Sequence, residues 1–307
     1  MIGTSRSIRE GSMRRKMFGE IRVRRIRRRA LFVLGLLALA VAIAALLLTA
    51  TGCSIGPTEF RDDSFTVGVS PTVVVNSENG SIEINAGTDN EVRVEATLTD
   101  APRVQYEISQ DGDTITIDAK ISKEWWFFGS AAADIAITAP AGTYVEVDTS
   151  NGAVELHGME GSGTLRTSNG KIVLKDVKGA YDGTTSNGAI EIGTMEGTCV
   201  ISTSNGSVDL WDVKGEVEVE SSNGEIWFSG EMTAGTRSRL VTSNGKVEVE
   251  LFGTPSVSLD AKTSNGVVTC ELVITATLTR EDHLVGTIGA GEAELYIRTS
   301  NGDVTIR

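Results

Sequence analysis

Carboxylates recur at matching points of a repeated stretch: Glu155, Glu191, Asp209 and Glu248. Acids aligned in this way are able to bind Ca²⁺ or to act as an acid–base pair on a glycan. Val173 and Trp227 interrupt the series, and Trp227 offers an indole on which a sugar ring could stack beside the acids. The plainer reading is a charged face that keeps a sheet soluble and discourages edge pairing. His157 and His283 are the only histidines, and neither has a Cys or His neighbour at metal-ligand spacing. There is no nucleophile elbow, phosphate loop or dinucleotide fingerprint, and Gly161-Ser162-Gly163 marks a corner. These residues predict no catalytic site, no cofactor and no metal.

The elements that carry the acids come from a repeat. Asn-Gly recurs at Asn151, Asn169, Asn187, Asn205 and Asn223, each eighteen residues after the last. It continues at Asn244 and Asn265 with steps of twenty-one, and at Asn301 with a step of thirty-six, read as two eighteens. A fixed period of this size marks a solenoid whose units bury their apolar faces only by stacking. Three and five residues after each Asn stand apolar residues such as Ile172 and Leu174, or Ile190 and Ile192. Two residues before it stands Thr or Ser every time. Period-two alternation with β-branched enrichment is a strand signature. The glycine after each Asn suggests a corner with positive φ. A second glycine column, Gly161, Gly179, Gly197 and Gly215, suggests another corner.

Asn-Gly between alternating strands is also the strongest short hairpin signal, which would build an antiparallel barrel or sandwich. The alternative is a parallel β-helix with coils about 4.8 Å apart. Glu160, Lys178, Glu196 and Lys214 alternate in sign at one position of successive units. In a parallel stack they are direct neighbours that stabilise each other, whereas a meander gives them no reason to alternate. The asparagines share the parity of the apolar positions, so they are expected to point inward and hydrogen-bond from rung to rung. The fold class is therefore all-β: a parallel β-helix with coils of 18–21 residues over 149–307. Its handedness is expected to be right-handed, as parallel connections are.

The rest of the chain divides around this body. Residues 1–29 are basic, and the first thirty residues hold eleven Lys/Arg against two acids, while the remainder carries a net charge of −22. Such a body does not bind nucleic acid by charge. Residues 30–53 form a hydrophobic signal or membrane anchor helix, with twenty-one uncharged residues from Ala30 to Ala50. The basic head stays cytoplasmic and the body lies outside the cell membrane, in the envelope or at the surface. "ATGC" ending at Cys53 is close to a bacterial lipobox and makes Cys53 a candidate lipidation site; an uncleaved anchor is the other reading. Residues 54–66 read as a tether and 67–148 as an antiparallel or irregular β cap. Cys199 and Cys270 read as buried free thiols. The run Trp125, Trp126, Phe127 and Phe128 reads either as an exposed apolar patch or, preferably, as a plug over the open end of the solenoid.

The combination of "SIEI" after Asn79-Gly80, "ADIAITAP", the TSNG units and the ending "HLVGTIGAGEAELYIRTSNGDVTIR" resembles a bacterial family with β-strand repeats. That family is labelled putative adhesin and carries a domain of unknown function. The resemblance covers about residues 65–307. It implies an extracytoplasmic β-solenoid, some relatives of which act in envelope stress responses, and it supplies no catalytic residues. The expected function is a non-enzymatic, envelope-anchored binding or adhesion surface, with an envelope protein or a polysaccharide as partner. An envelope stress sensor or regulator and a carbohydrate-active β-helix enzyme are the alternatives.

Overall fold

The structure is a computed structural model that describes residues 56–122 and 131–307. Cys53, the segment 30–53 and Trp125–Phe128 lie outside the described residues. Among the described residues no helix is long and apolar enough to cross a membrane.

The repeat forms β8 (Tyr144–Thr149), β9 (Val154–His157) and β10 (Ser162–Thr167), then the long bent strands β11 (Ile172–Thr185), β12 (Ile190–Thr203) and β13 (Val208–Ser221). Before these come β1 (Glu59–Thr66), β2 (Thr72–Ser77), β3 (Ile82–Gly87), β4 (Glu91–Thr99), β5 (Val104–Asp111), β6 (Thr114–Ile121) and β7 (Ala132–Pro140). After them come β14 (Ile226–Glu231), β15 (Arg237–Thr242), β16 (Val247–Leu251), β17 (Val257–Lys262), β18 (Val268–Cys270), β19 (Ile274–Thr279), β20 (His283–Ile288), β21 (Ala293–Arg298) and β22 (Val304–Ile306).

Successive coils pair in parallel. Strand β11 lies on β12 from Ile172↔Ile190 to Thr185↔Thr203, and β12 lies on β13 from Ile190↔Val208 to Thr203↔Ser221. Asn-Gly therefore does not close hairpins; it is a corner between the two strand segments of adjacent coil turns. The apolar positions that follow the asparagines are buried, including Ile172, Leu174, Ile190, Ile192, Val208 and Leu210, except Val268 and Cys270 after Asn265, which are half-buried. They join one continuous core that runs from Val67 to Ile306.

The two ladders end in ways the period does not announce. At the first end β2–β3 sits directly on β8–β9, and β6–β7 pairs in parallel on the far side of β2–β3. The segment 67–148 thus contributes two parallel rungs of the same stack. Antiparallel pairing there is confined to β1 on β4, β4 on β7 and β5 on β6. Residues 59–66, expected as a tether, are strand β1, because its backbone supplies partners to β4, whose own far side pairs with β7. At the other end the last repeat is out of chain order. β21–β22 inserts between β15–β16 and β17–β18, so that Asn301 bridges Asn244 and Asn265. The step of thirty-six is not two coils in sequence. Residues 274–288 form the antiparallel strands β19 and β20, which close the β17 edge.

The TSNG corner explains the period. The Thr185 hydroxyl is buried; it donates to the Gly170 carbonyl of the previous coil at 3.0 Å and accepts from the Gly188 N–H at 3.1 Å. The same stitch recurs at Thr167, Thr203 and Ser221. The glycine after each Asn is required by close approach, since a Cβ at Gly188 would fall on the Gly170 carbonyl oxygen, and likewise at Gly170 on Gly152 and at Gly206 on Gly188. A positive φ, the sequence expectation, is not the reason: Gly152, Gly170 and Gly188 have none. The asparagines form a ladder, with Asn187 Nδ2 donating to Asn169 Oδ1 and Asn205 Nδ2 to Asn187 Oδ1, both at 2.8 Å. It starts at Asn79, which accepts from Asn151, and ends through Asn223, Asn244, Asn301 and Asn265. The ladder does not point inward as parity suggested. Asn151, Asn169, Asn187, Asn205, Asn223, Asn244, Asn265 and Asn301 are all exposed, because the chain turns out of the strand at the corner and ends the period-two alternation.

A second corner lies seven residues after Asn151, Asn169, Asn187 and Asn205. Asp176, Thr194 and Asp212 adopt φ of 54°, 51° and 56°, and the equivalent Gly158 has 71°. A β-branched residue in the left-handed region, as at Thr194, is strained, and its place in the stack is held by the parallel pairing on both sides.

The buried stitch and the exposed ladder are expected to respond differently to substitution. Thr185→Val keeps the shape but leaves the Gly188 N–H and the Gly170 carbonyl unpaired in a dry corner, a loss of about 3 kcal/mol. Asn187→Ala removes bonds that water replaces, a loss of about 1 kcal/mol or less. Chemical denaturation of the full chain in detergent checks the order, and an Asn187→Ala loss equal to that of Thr185→Val contradicts it.

Candidate binding surface

On one ladder the outward position four residues after each Asn forms a column. Glu155, Val173, Glu191, Asp209, Trp227 and Glu248 are partners in successive coils. Successive positions of the column are about 4.8 Å apart in one line, so that of its acids only Glu191 and Asp209 are on adjacent rungs and the acids do not converge on a point. Most are engaged by a neighbour: Glu155 with His157 at 3.5 Å, Glu191 with Lys171 at 2.6 Å, and Glu248 with Lys246 at 3.1 Å. Asp209 accepts from the Ser207 hydroxyl at 3.2 Å. Among the described residues no group of three His, Cys, Asp or Glu is placed to hold a metal ion. Trp227 is half-buried in this column, and the neighbouring coil adds Trp211, which the sequence reading did not single out. The alternating charges at the next corner are also neighbours, with Lys178 and Glu160 at 3.1 Å and Lys214 and Glu231 at 3.5 Å. They line an open groove of about 490 Å³ floored by Val177 and Met195.

The other ladder carries a cluster at its interleaved end. Arg298 reaches across to Asp260, with Nη2 to Oδ2 at 2.7 Å, and His283 Nε2 lies 2.9 Å from Oδ1 of the same carboxylate. The Arg298 guanidinium lies 4.0 Å from the Tyr296 ring centroid and that of Arg239 lies 5.9 Å from it, a cation–π arrangement. Arg239 in turn contacts Glu218 at 3.8 Å and also Glu220, and Arg237 contacts Glu294 at 3.3 Å. Beside Tyr296 a shallow cleft of about 320 Å³ opens between Glu216, Glu218, Arg237 and Arg239. His283 thus has a carboxylate partner that its sequence position gave no sign of. The antiparallel pairing of β20 on β17 brings His283 to Asp260, and the insertion of β21 on the other side of β17 adds Tyr296 and Arg298.

The thiols take no part in either surface chemistry. Cys199 is fully buried and burial pushes its thiol up; Cys270, half-buried, is shifted the same way, and both are free. The half-burial of Cys270 follows from its place on the terminal strand β18, whose partner in the stack is β22.

Burial pushes the Asp260 carboxyl up, but hydrogen bonds from Arg298 and His283 and their charges outweigh it and hold the group below its ordinary value of 3.8. A carboxylate with a depressed folded value contributes stability that is present above the unfolded value and lost as pH falls through the folded one. Asp260→Asn is therefore expected to destabilise the chain at about pH 7, with the difference from the parent shrinking towards about pH 3. Denaturation curves of both proteins across that range check it; a difference that grows in acid contradicts it.

Comparison with known proteins gives one sequence family and a set of distant folds. No curated protein matches the sequence. A crystal structure described as a putative adhesin from Bacteroides fragilis aligns at 14% identity and a TM-score of 0.48, covering 81% of this chain and 97% of that one. One described as a putative lipid binding protein from Parabacteroides distasonis aligns at 14% identity and a TM-score of 0.43, covering 82% and 98%. A putative adhesin from the same organism aligns at 13% identity and a TM-score of 0.40, covering 82% and 98%. Residues 72–307, from strand β2 to the C-terminus, match the family described as Toastrack DUF4097, and the chain belongs to that family.

Proposed function

We propose that this chain is a non-enzymatic, envelope-anchored β-solenoid whose acidic body lies outside the cytoplasmic membrane and offers its sheet faces as a binding or adhesion surface. The observation that carries the reading is the rung-spaced column from Glu155 to Glu248, in which four acids, interrupted by Val173 and Trp227, line up along the stack without converging. Catalysis by a carboxylate pair needs two groups with separated pKa values in one concave place. A straight, solvated column instead suits many weak contacts to a polymer or a repeated partner, whose summed effect exceeds any single contact. The anchor reading rests on the basic head and the uncharged segment Ala30–Ala50.

Two experiments test this function. The full chain, incubated with a panel of cell-wall and plant polysaccharides, is expected to release no product. Turnover that disappears in Glu191→Gln/Asp209→Asn replaces this reading with the enzyme one. For the anchor, Cys53→Ser is expected to abolish acyl labelling and alter processing. An identical, unlabelled and uncleaved product from both proteins assigns residues 30–53 to an uncleaved signal anchor.

A further inference from the structure

The two tryptophans of the repeat body share one outward face, on adjacent strands β13 and β14. Trp211 is the rung partner of Gly193, and its indole occupies the space a side chain at 193 would fill. The ring therefore lies down along the sheet. Trp227 is the rung partner of Asp209 on one side and of Glu248 on the other. Trp211 and Trp227 lie on the same outward face two residues apart in register, and because the Trp211 indole lies over Gly193, on the side of β13 away from β14, Asp209 stands between the two rings. The ladder between β13 and β14 slips register between Leu210 and Val213, the stretch that carries Trp211. Bulges of this kind re-aim a side chain. Both indoles are half-exposed and neither belongs to the core.

A purely structural account is that Trp211 covers a glycine, as aromatic neighbours do in sheets. It leaves two things unexplained. The equivalent positions of other coils hold His157, Lys175 and Ser229, so no glycine is imposed there by the fold, and Gly in a strand is costly. Trp227 stands over no glycine; it replaces a member of the acid column.

We propose that Trp211 and Trp227 form a platform for a neutral hexose polysaccharide, with Asp209 accepting hydrogen bonds from its hydroxyls. Indoles bury the apolar face of a pyranose, and carboxylates beside them accept from its edge. Asp209 is the acid suited to this, because its partner is the Ser207 hydroxyl and not a lysine. Glu191 and Glu248 at the border of the platform are each compensated by a lysine, so the uncompensated negative charge beside the indoles is that of Asp209. That charge disfavours uronic or sulfated glycans and anionic lipid. The inference rests on the binding-surface reading and names the ligand class for one part of that surface.

The test titrates the full chain, in a sugar-free detergent, with mannan, laminarin and hydroxyethyl cellulose, and with polygalacturonate as the anionic comparison. Binding is read by calorimetry and by tryptophan fluorescence. Saturable binding of a neutral polysaccharide is expected, weakened at least about tenfold in Trp227→Ala and in Asp209→Asn. Trp227→Phe and Trp211→Phe are expected to retain part of the affinity, which separates stacking from a folding defect. Absence of binding to all three neutral polysaccharides overturns the proposal, as does preference for polygalacturonate. Undiminished binding in Trp211→Phe/Trp227→Ala also overturns it, and leaves the binding-surface reading in place. Cleavage of a polysaccharide that is lost in Trp227→Ala keeps the platform and overturns the non-enzymatic reading instead.

Discussion

The whole stack depends on one contact, the approach of each TSNG glycine to the carbonyl of the glycine one coil earlier. A side chain at Gly170, Gly188 or Gly206 would occupy the position of that oxygen. The close approach leaves the carbonyl and the next glycine N–H in a dry corner, where unpaired groups are expensive. The Thr hydroxyl two residues before the Asn satisfies both. Thr and Gly are thus a single device, and its repetition holds every coil at the same height and register as the last. Once register is held, the apolar residues after each Asn stack on their equivalents and build the core without further specification.

A stack built this way has ends, and open ends expose strand edges that invite pairing with other chains. At both ends the rungs depart from chain order and antiparallel strands are added, but only at the C-terminal end does the chain pass a place and return to fill it. β6–β7 lies outside β2–β3 at one end, and β21–β22 lies inside β17–β18 at the other. The order of closure ties residues far apart in sequence into each terminal rung, as Asn301 does between Asn244 and Asn265.

Register also turns sequence position into surface chemistry. In a parallel stack a residue type kept at one position becomes a line of side chains at rung spacing, and a change at that position becomes a local landmark. The acid column is such a line and Trp227 is such a landmark. The charges of Lys178 and Glu160 lie side by side for the same reason. Exposed pairs of this kind are screened by water and contribute little stability, so their main consequence is the pattern they present.

Much of the fold was legible in the sequence because its determinants are local and repeated. The period of eighteen, the alternation at Ile172 and Leu174, and the sign changes at Glu160, Lys178 and Glu196 identify a parallel stack, since each is a nearest-neighbour property of that stack. Where local rules compete, only the tertiary structure decides. Parity placed the asparagines inside, but the corner bends them out to water and leaves the Thr as the buried member. Thr194 holds left-handed backbone that a β-branched residue disfavours, because pairing on both sides outweighs the strain, while Asp176 and Asp212 at the same corner are of a type that tolerates it. The contacts among Asp260, His283, Tyr296 and Arg298 were not legible at all, since they depend on β20 folding back on β17 and on the last coil entering the stack out of order. Chain order is what a sequence displays directly; the order of rungs is set by which coil best covers an exposed edge, and that is a property of the assembled core.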